Sequence, residues 1–274
     1  MTLTSINFTW PNGYSGALTT SWDDGTIYDR ELVEILNRFG LKGTFNLNSG
    51  LLDLGVPQRG WKEYIRDDEV STLYAAHEVA VHTVTHPHLE RIPEMAVRAE
   101  LLEDRRALES LVHYPVRGMA FPFGTYDQRV LWILQETGFV YARLVESRED
   151  FSLPGDFFKW QPTCHHRFDL NAMWARFKND EQSDKLFYLW GHSYEFAEED
   201  NWSVIKDFAQ MAGNTSGIWY ATNREIYDYV QAWRGLELSL DLRTACNLSA
   251  VTLWVRCGKR LIELPAGVLV QLDA

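Results

Sequence analysis

Residues 17–47 read ALTTSWDDGTIYDRELVEILNRFGLKGTFNL, and this stretch decides the fold class. Residues 17–22 form a short run of apolar and β-branched side chains, which predicts a strand. Two aspartates and a glycine end it. Residues 28–39 then set Leu32, Val33, Ile35 and Leu36 on one helical face, with Gly40 in place to stop the helix. Residues 43–47 predict the next strand, and strand, helix, strand is the repeating unit of a parallel sheet.

The same alternation runs outward from this unit. Helices are predicted over 67–76, 93–112 (with Pro93 in its first turn), 127–137, 170–178, 202–211 and 223–233. Strands are predicted over 79–81, 119–121, 139–142, 186–190 and 217–220. Between Arg143 and Arg167 the pattern blurs into loop, with one further strand near 157–160. These seven or eight units fill about 235 residues, close to the ~250 of a (β/α) barrel. After Gly235 the texture changes. VTLWVRC and LIELPAGVLVQL, separated by Gly-Lys and Pro-Ala-Gly turn signals, predict β-hairpins. The expected organisation is therefore an α/β barrel over residues 1–235 and a small β-hairpin extension, 236–274, packed on it.

Composition limits the partners. The 274 residues carry 26 Lys+Arg against 38 Asp+Glu, a formal net charge of -12, which argues against a nucleic-acid partner. No apolar run approaches the ~20 residues of a membrane span. The polar start MTLTSINFTWPNGYSG lacks the basic and apolar regions of a signal peptide, so a soluble, cytoplasmic protein with no membrane partner is expected. Cys164, Cys246 and Cys257 are odd in number and form no CxxC pair, so reduced thiols are expected rather than a disulfide framework or a zinc knuckle.

Three polar clusters follow predicted strands, where a parallel barrel presents its reactive loops. The first, Ser21-Trp22-Asp23-Asp24-Gly25, ends an apolar strand on two carboxylates; alone, it could simply cap the next helix. The second is His82-Thr83-Val84-Thr85-His86-Pro87. Extended, its histidines would stand ~13 Å apart, too far to share an ion at ~2.1 Å from each nitrogen. A turn after His82 brings them together, and Pro87 biases His86 towards extended geometry. Two imidazoles, a carboxylate and an open position make a catalytic zinc arrangement. The third cluster, Leu189-Trp190-Gly191-His192-Ser193, delivers a histidine suited to proton transfer near neutral pH. Cys164-His165-His166 resembles a metal site in composition, but neighbouring side chains point apart, so it is read as incidental or substrate-lining.

In order and spacing, SWDDG, HTVTH, FPFG and LWGH resemble the motifs of the polysaccharide deacetylases, the NodB-homology group of carbohydrate esterase family four, over roughly residues 17–233. The resemblance implies a distorted (β/α) barrel and one divalent metal on Asp24, His82 and His86. Zinc comes first, with cobalt, nickel or iron as alternatives. It implies Asp23 as general base, His192 as general acid, and the Pro122-Phe123-Gly124 loop supplying the Phe123 backbone N–H to the oxyanion. The implied substrate is an N-acetylated saccharide that loses acetate.

Two departures stand out. Many members carry an arginine two residues before the loop proline, where this chain has Ala120; Arg143, after the next strand, is a candidate replacement for orienting the base. The family's fourth, aspartate-containing motif has its nearest candidate in residues 156–160, which leaves the partner of His192 unassigned. Trp22, Trp160, Trp190 and Tyr194 lie beside the motif loops and are candidate substrate contacts. Glu195, Glu198, Glu199 and Asp200 read as a solvated helix lead-in. Two alternatives to the deacetylase keep this fold. One is a metal-dependent hydrolase of a small amide, ureide or cyclic imide. The other is a carbohydrate-binding descendant without turnover.

Overall fold

The structure, a computed structural model, describes residues 5–52 and 63–272. In chain order its elements begin with β1 (Ile6–Phe8), β2 (Gly16–Asp23), α1 (Asp29–Arg38) and β3 (Gly43–Leu47). Next come α2 (Asp67–Leu73), β4 (Glu78–Val81), α3 (Glu94–Val112), β5 (Gly118–Ala120), α4 (Gln128–Glu136) and β6 (Tyr141–Arg143). After these follow β7 (Cys164–His165), α5 (Leu170–Asn179), β8 (Leu186–His192), α6 (Ser193–Glu198), α7 (Ser203–Ala212), β9 (Ile218–Tyr220) and α8 (Asn223–Arg234). The chain closes with β10 (Glu237–Leu238), β11 (Thr244–Asn247), β12 (Leu253–Cys257), β13 (Arg260–Leu264) and β14 (Val268–Gln271).

β2 is the hub because it is buried along its whole length, as expected of a strand covered on both faces. The parallel sheet runs β6-β5-β4-β3-β2-β8-β7, with β9 also paired to β2. β9 holds the lower half of β2, at Gly16 to Leu18, and β3 holds the upper half, at Thr20 to Asp23. An isolated parallel bridge from Arg143 to Trp160 ties the outer edge of β6 to the segment leading into β7. The sheet thus curls into a distorted (β/α) barrel. α1 packs inward through Leu32, Val33, Ile35 and Leu36, and Thr222 with Glu225 forms a capping box that starts α8.

Register carries this fold to function. Asp23 stands beside Asn46 on one side and His192 on the other, and Ala120 stands beside Arg143. The carboxyl ends of β2, β4, β6 and β8 therefore share one rim, where a parallel barrel places its chemistry.

The tail is more than a hairpin extension of residues 236–274 alone. It forms two three-stranded sheets, β1-β12-β13 and β10-β11-β14. The first borrows its edge from the N-terminus, where Ile6 to Phe8 pairs antiparallel with Val255 to Cys257. Leu253, Val255 and Leu264 share a buried cluster with Trp10, Tyr229 and Val230, so apolar burial fastens these sheets over α8. Residues 157–160 do not form the expected strand. Phe157–Lys159 is a 3-10 turn begun by Asp156, whose side chain accepts from the Phe158 N–H. That local bond competes with strand pairing, and the strand appears at Cys164–His165, against β8. Among the described residues no helix is long and apolar enough to cross a membrane.

Candidate functional site

A cleft of about 420 Å³ opens on this rim, lined by Asp23, Asp24, His82, His86, Phe123, Val145, Trp190, His192 and Tyr194. The two aspartates at the end of β2 face different partners. Asp23 points inward, where its Oδ1 accepts from Asn46 Nδ2 at 2.8 Å and its Oδ2 pairs with the Arg143 guanidinium. Burial, the largest single influence, would raise its pKa. Arg143, His82 and His192 together outweigh it and hold the carboxyl well below the usual range.

Asp24 turns the other way because its backbone is left-handed, with φ 81°. Its Oδ1 lies 3.7 Å from His82 Nε2 and 3.7 Å from His86 Nε2. Two bonds of ~2.1 Å can span ~4 Å, so these three atoms fit around one ion. The tautomer fits as well. His82 Nδ1 lies 2.8 Å from the Ala120 carbonyl oxygen; a carbonyl only accepts, so Nδ1 carries the proton and Nε2 keeps its lone pair. Asp104 fixes His82 from behind, its Oδ2 accepting from the His82 N–H at 3.1 Å.

The HTVTH loop departs from the expected geometry. Pro87 does not hold His86 extended: Thr83 and His86 both have positive φ, 71° and 58°. The loop is held by the Thr83 hydroxyl, which accepts from the His86 N–H at 3.0 Å, and by Asn48, which donates to the His82 and Thr83 carbonyls. Backbone strain of this kind persists only where surrounding contacts impose it.

Across the cleft, His192 Nε2 lies 4.0 Å from Asp23 Oδ2, and its Nδ1 lies 3.2 Å from Glu195 Oε2. Burial would lower the imidazole pKa; Glu195, Asp23 and Asp24 override it and raise it. Glu195 is therefore not part of a solvated charge run. It is buried, while Glu198, Glu199 and Asp200 are exposed. The signal for it is its spacing: three residues after His192, at the start of a helix, it returns to the same face. Asp156, by contrast, caps its own turn.

Arg143 reaches Asp23 from the strand beside Ala120, by way of register. Ala120 and Arg143 are partners on adjacent parallel strands, so the guanidinium arrives one strand further along. It also lies 4.4 Å from the centroid of the Trp190 ring. The Pro122-Phe123-Gly124 loop follows β5. Phe123 and Gly124 have φ 58° and 70°, and a Cβ on Gly124 would meet Val145 Cγ2 at 2.3 Å. Of the four aromatic candidates, Trp190 and Tyr194 line the cleft. Trp22 and Trp160 do not. Trp22 is fully buried against Phe196 and His166, and Trp160 packs among Tyr141, Phe157 and Tyr188; large aromatic area drives both into the core.

Fold and rim together define a distorted (β/α) barrel with paired carboxylates and imidazoles at one mouth. A family profile described as polysaccharide deacetylase matches residues 13–142, and over that stretch the chain is similar to that family. A chitooligosaccharide deacetylase of Sinorhizobium fredii is 26% identical over 152 residues, 54% of this chain and 66% of that protein. The chain spans between 36% and 66% of the length of three curated relatives it matches. Among solved structures, a putative polysaccharide deacetylase from Mycobacterium smegmatis superposes with a TM-score of 0.60 at 17% identity, covering 84% of this chain and 95% of that one. A family 4 carbohydrate esterase from Streptomyces lividans, in complex with acetate, gives 0.51 at 14% identity, over 76% and 93%. These two likenesses concern the fold.

Proposed function

We propose that this chain hydrolyses the N-acetyl group of a saccharide, with one divalent ion, zinc first among the candidates, on Asp24, His82 and His86. The observation that carries the reading is the convergence of those three ligand atoms beside a second, separately held carboxylate, Asp23, and a histidine facing it. A capping role for the aspartates would need neither imidazole.

A bound divalent ion polarises an amide carbonyl and makes water acidic enough to react near neutral pH. The side chains supply the rest. Asp23, kept ionised and aimed by Arg143 and Asn46, accepts the proton of the attacking water. The Phe123 backbone N–H donates to the oxyanion that develops on the carbonyl oxygen. His192 protonates the leaving nitrogen, and Glu195, accepting from Nδ1, turns Nε2 towards Asp23 and favours the charged, donating form. Amide and water become acetate and the protonated amine; the proton that Asp23 takes from water replaces the one His192 gives to nitrogen, so the protons balance. Trp190 and Tyr194 are the aromatic walls for the sugar.

The test is acetate release from N-acetylated chitooligosaccharides by the chain loaded with one equivalent of zinc. Acetate matched by new amine, abolished by chelation or His82→Ala and restored to wild type by zinc, is the expected result. Zinc bound with no acetate from any saccharide would overturn the substrate and move the search to small amides. Saccharide binding without turnover would favour the binding descendant.

A further inference from the structure

Beyond the acid histidine, the same rim holds a second set of ligand atoms. β7 ends on His165 and its neighbour β8 ends on His192, while the first turn of α6 swings Glu195 between them. His165 Nε2 and His192 Nδ1 each lie 3.2 Å from Glu195 Oε2, and the three ligand atoms all lie within 4.8 Å of one another. A third imidazole converges on this oxygen: His166 Nε2 is also 3.2 Å away. His166 is 1% exposed, and neither of its ring nitrogens makes a hydrogen bond. Burying such a group unsatisfied costs about 1–3 kcal/mol, so this ring is aimed into a site that protein hydrogen bonds leave incomplete.

We propose that His165, His192 and Glu195 form a second site for a divalent transition-metal ion, with His166 beside them as a further ligand. Spacing and chemistry agree on this. The edges of a tetrahedron of ligands ~2.1 Å from an ion are ~3.4 Å, close to the 3.2 Å observed from Oε2 to each imidazole. Imidazoles with one carboxylate suit zinc, cobalt, nickel or copper rather than magnesium or calcium. Arg167 is the adverse charge, at 3.2 Å from Oε1. It is shared with Glu199 and leaves Oε2 free to face the histidines.

Occupation has a consequence for turnover, and this part rests on the deacetylase reading. An ion on His192 Nδ1 replaces the proton shared with Glu195 and so removes the charged acid. Activity should rise with the first equivalent of zinc and fall with the second.

The site itself is tested without activity. The full chain, stripped by chelator and dialysed against zinc, is assayed for bound zinc as wild type, His82→Ala, His165→Ala and Glu195→Gln, with circular dichroism to establish folding. Glu195→Gln preserves size and hydrogen bonding, so the count stays readable if His165→Ala does not fold. The expected result is two ions in wild type and one in each variant. One ion in wild type, none in His82→Ala and one in the other variants would overturn the second site and leave the first standing. One ion in wild type and His82→Ala, lost in His165→Ala, would support the second site and sink the first. Two ions retained in both His165→Ala and Glu195→Gln, or none in wild type, would also overturn it.

Discussion

Arg143→Ala should be the most damaging single truncation at the rim, through a charge it leaves behind. Arg143 is 0% exposed and Asp23 2%. Without the guanidinium, Asp23 keeps only Asn46 Nδ2 at 2.8 Å and the imidazoles of His82 and His192 at 3.8 and 4.0 Å. Breaking a buried pair from one side costs about 3–5 kcal/mol. Loss of the contact with Trp190 adds about 1–2 kcal/mol. Asp23→Asn alone strands the guanidinium instead, whereas the double variant strands neither charge. The expected coupling is therefore at least about 2 kcal/mol, with the double variant well above the sum of the singles. Urea unfolding of the four proteins at pH 7, in the same chelating buffer, measures it. Costs that add within about 0.5 kcal/mol would refute the buried pair as an energetic unit. A second readout is kinetic. With Arg143 gone, burial acts on Asp23 with less opposition, its pKa rises, and the acid limb of the rate profile moves to higher pH.

Glu195→Gln should move the alkaline limb of the rate profile to lower pH, because Glu195 raises the His192 pKa; an unmoved limb would remove Glu195 from the environment of His192. Gly124→Ala forces a Cβ to 2.3 Å from Val145 at φ 70°, costing about 2–4 kcal/mol. Val145→Ala should recover part of that in thermal melts, and no recovery would refute the clash. Glu78, at the opposite end of β4, is pushed up to about 7 by burial from an ordinary 4.5. The folded chain thus holds a proton that the unfolded chain releases from about pH 4.5 upward, so this group costs stability as pH rises towards 7. Glu78→Gln removes the term and should gain about 3 kcal/mol on wild type between pH 4.5 and 8; a pH-independent difference in melting would contradict the assignment.

What was legible in the sequence was local. The alternation around residues 17–47, and polar clusters placed just after strands, required only neighbours in the chain, and Asp24, His82 and His86 meet at that rim. What was hidden depended on register or on burial. Arg143 reaches Asp23 because Ala120 and Arg143 are paired across β5 and β6, which no spacing shows. Glu195 sits in an acidic run whose other members are exposed, so composition pointed outward while the helix start turned one carboxylate inward. Trp22 and Trp160 lie beside the motifs in sequence and behind them in space. β7 is only two residues long, too short for any periodicity, and β1 pairs with a strand some 250 residues later.

The most direct measurement is acetate release by Asp23→Asn beside wild type, both shown by elemental analysis to hold one equivalent of zinc. Asp23 lies outside the proposed ligand set, so the account predicts that the variant keeps the ion bound at Asp24, His82 and His86 and loses acetate release by about 100-fold or more. Near-wild-type turnover in the zinc-loaded variant would contradict Asp23 as the base and, with it, the mechanism built on this rim.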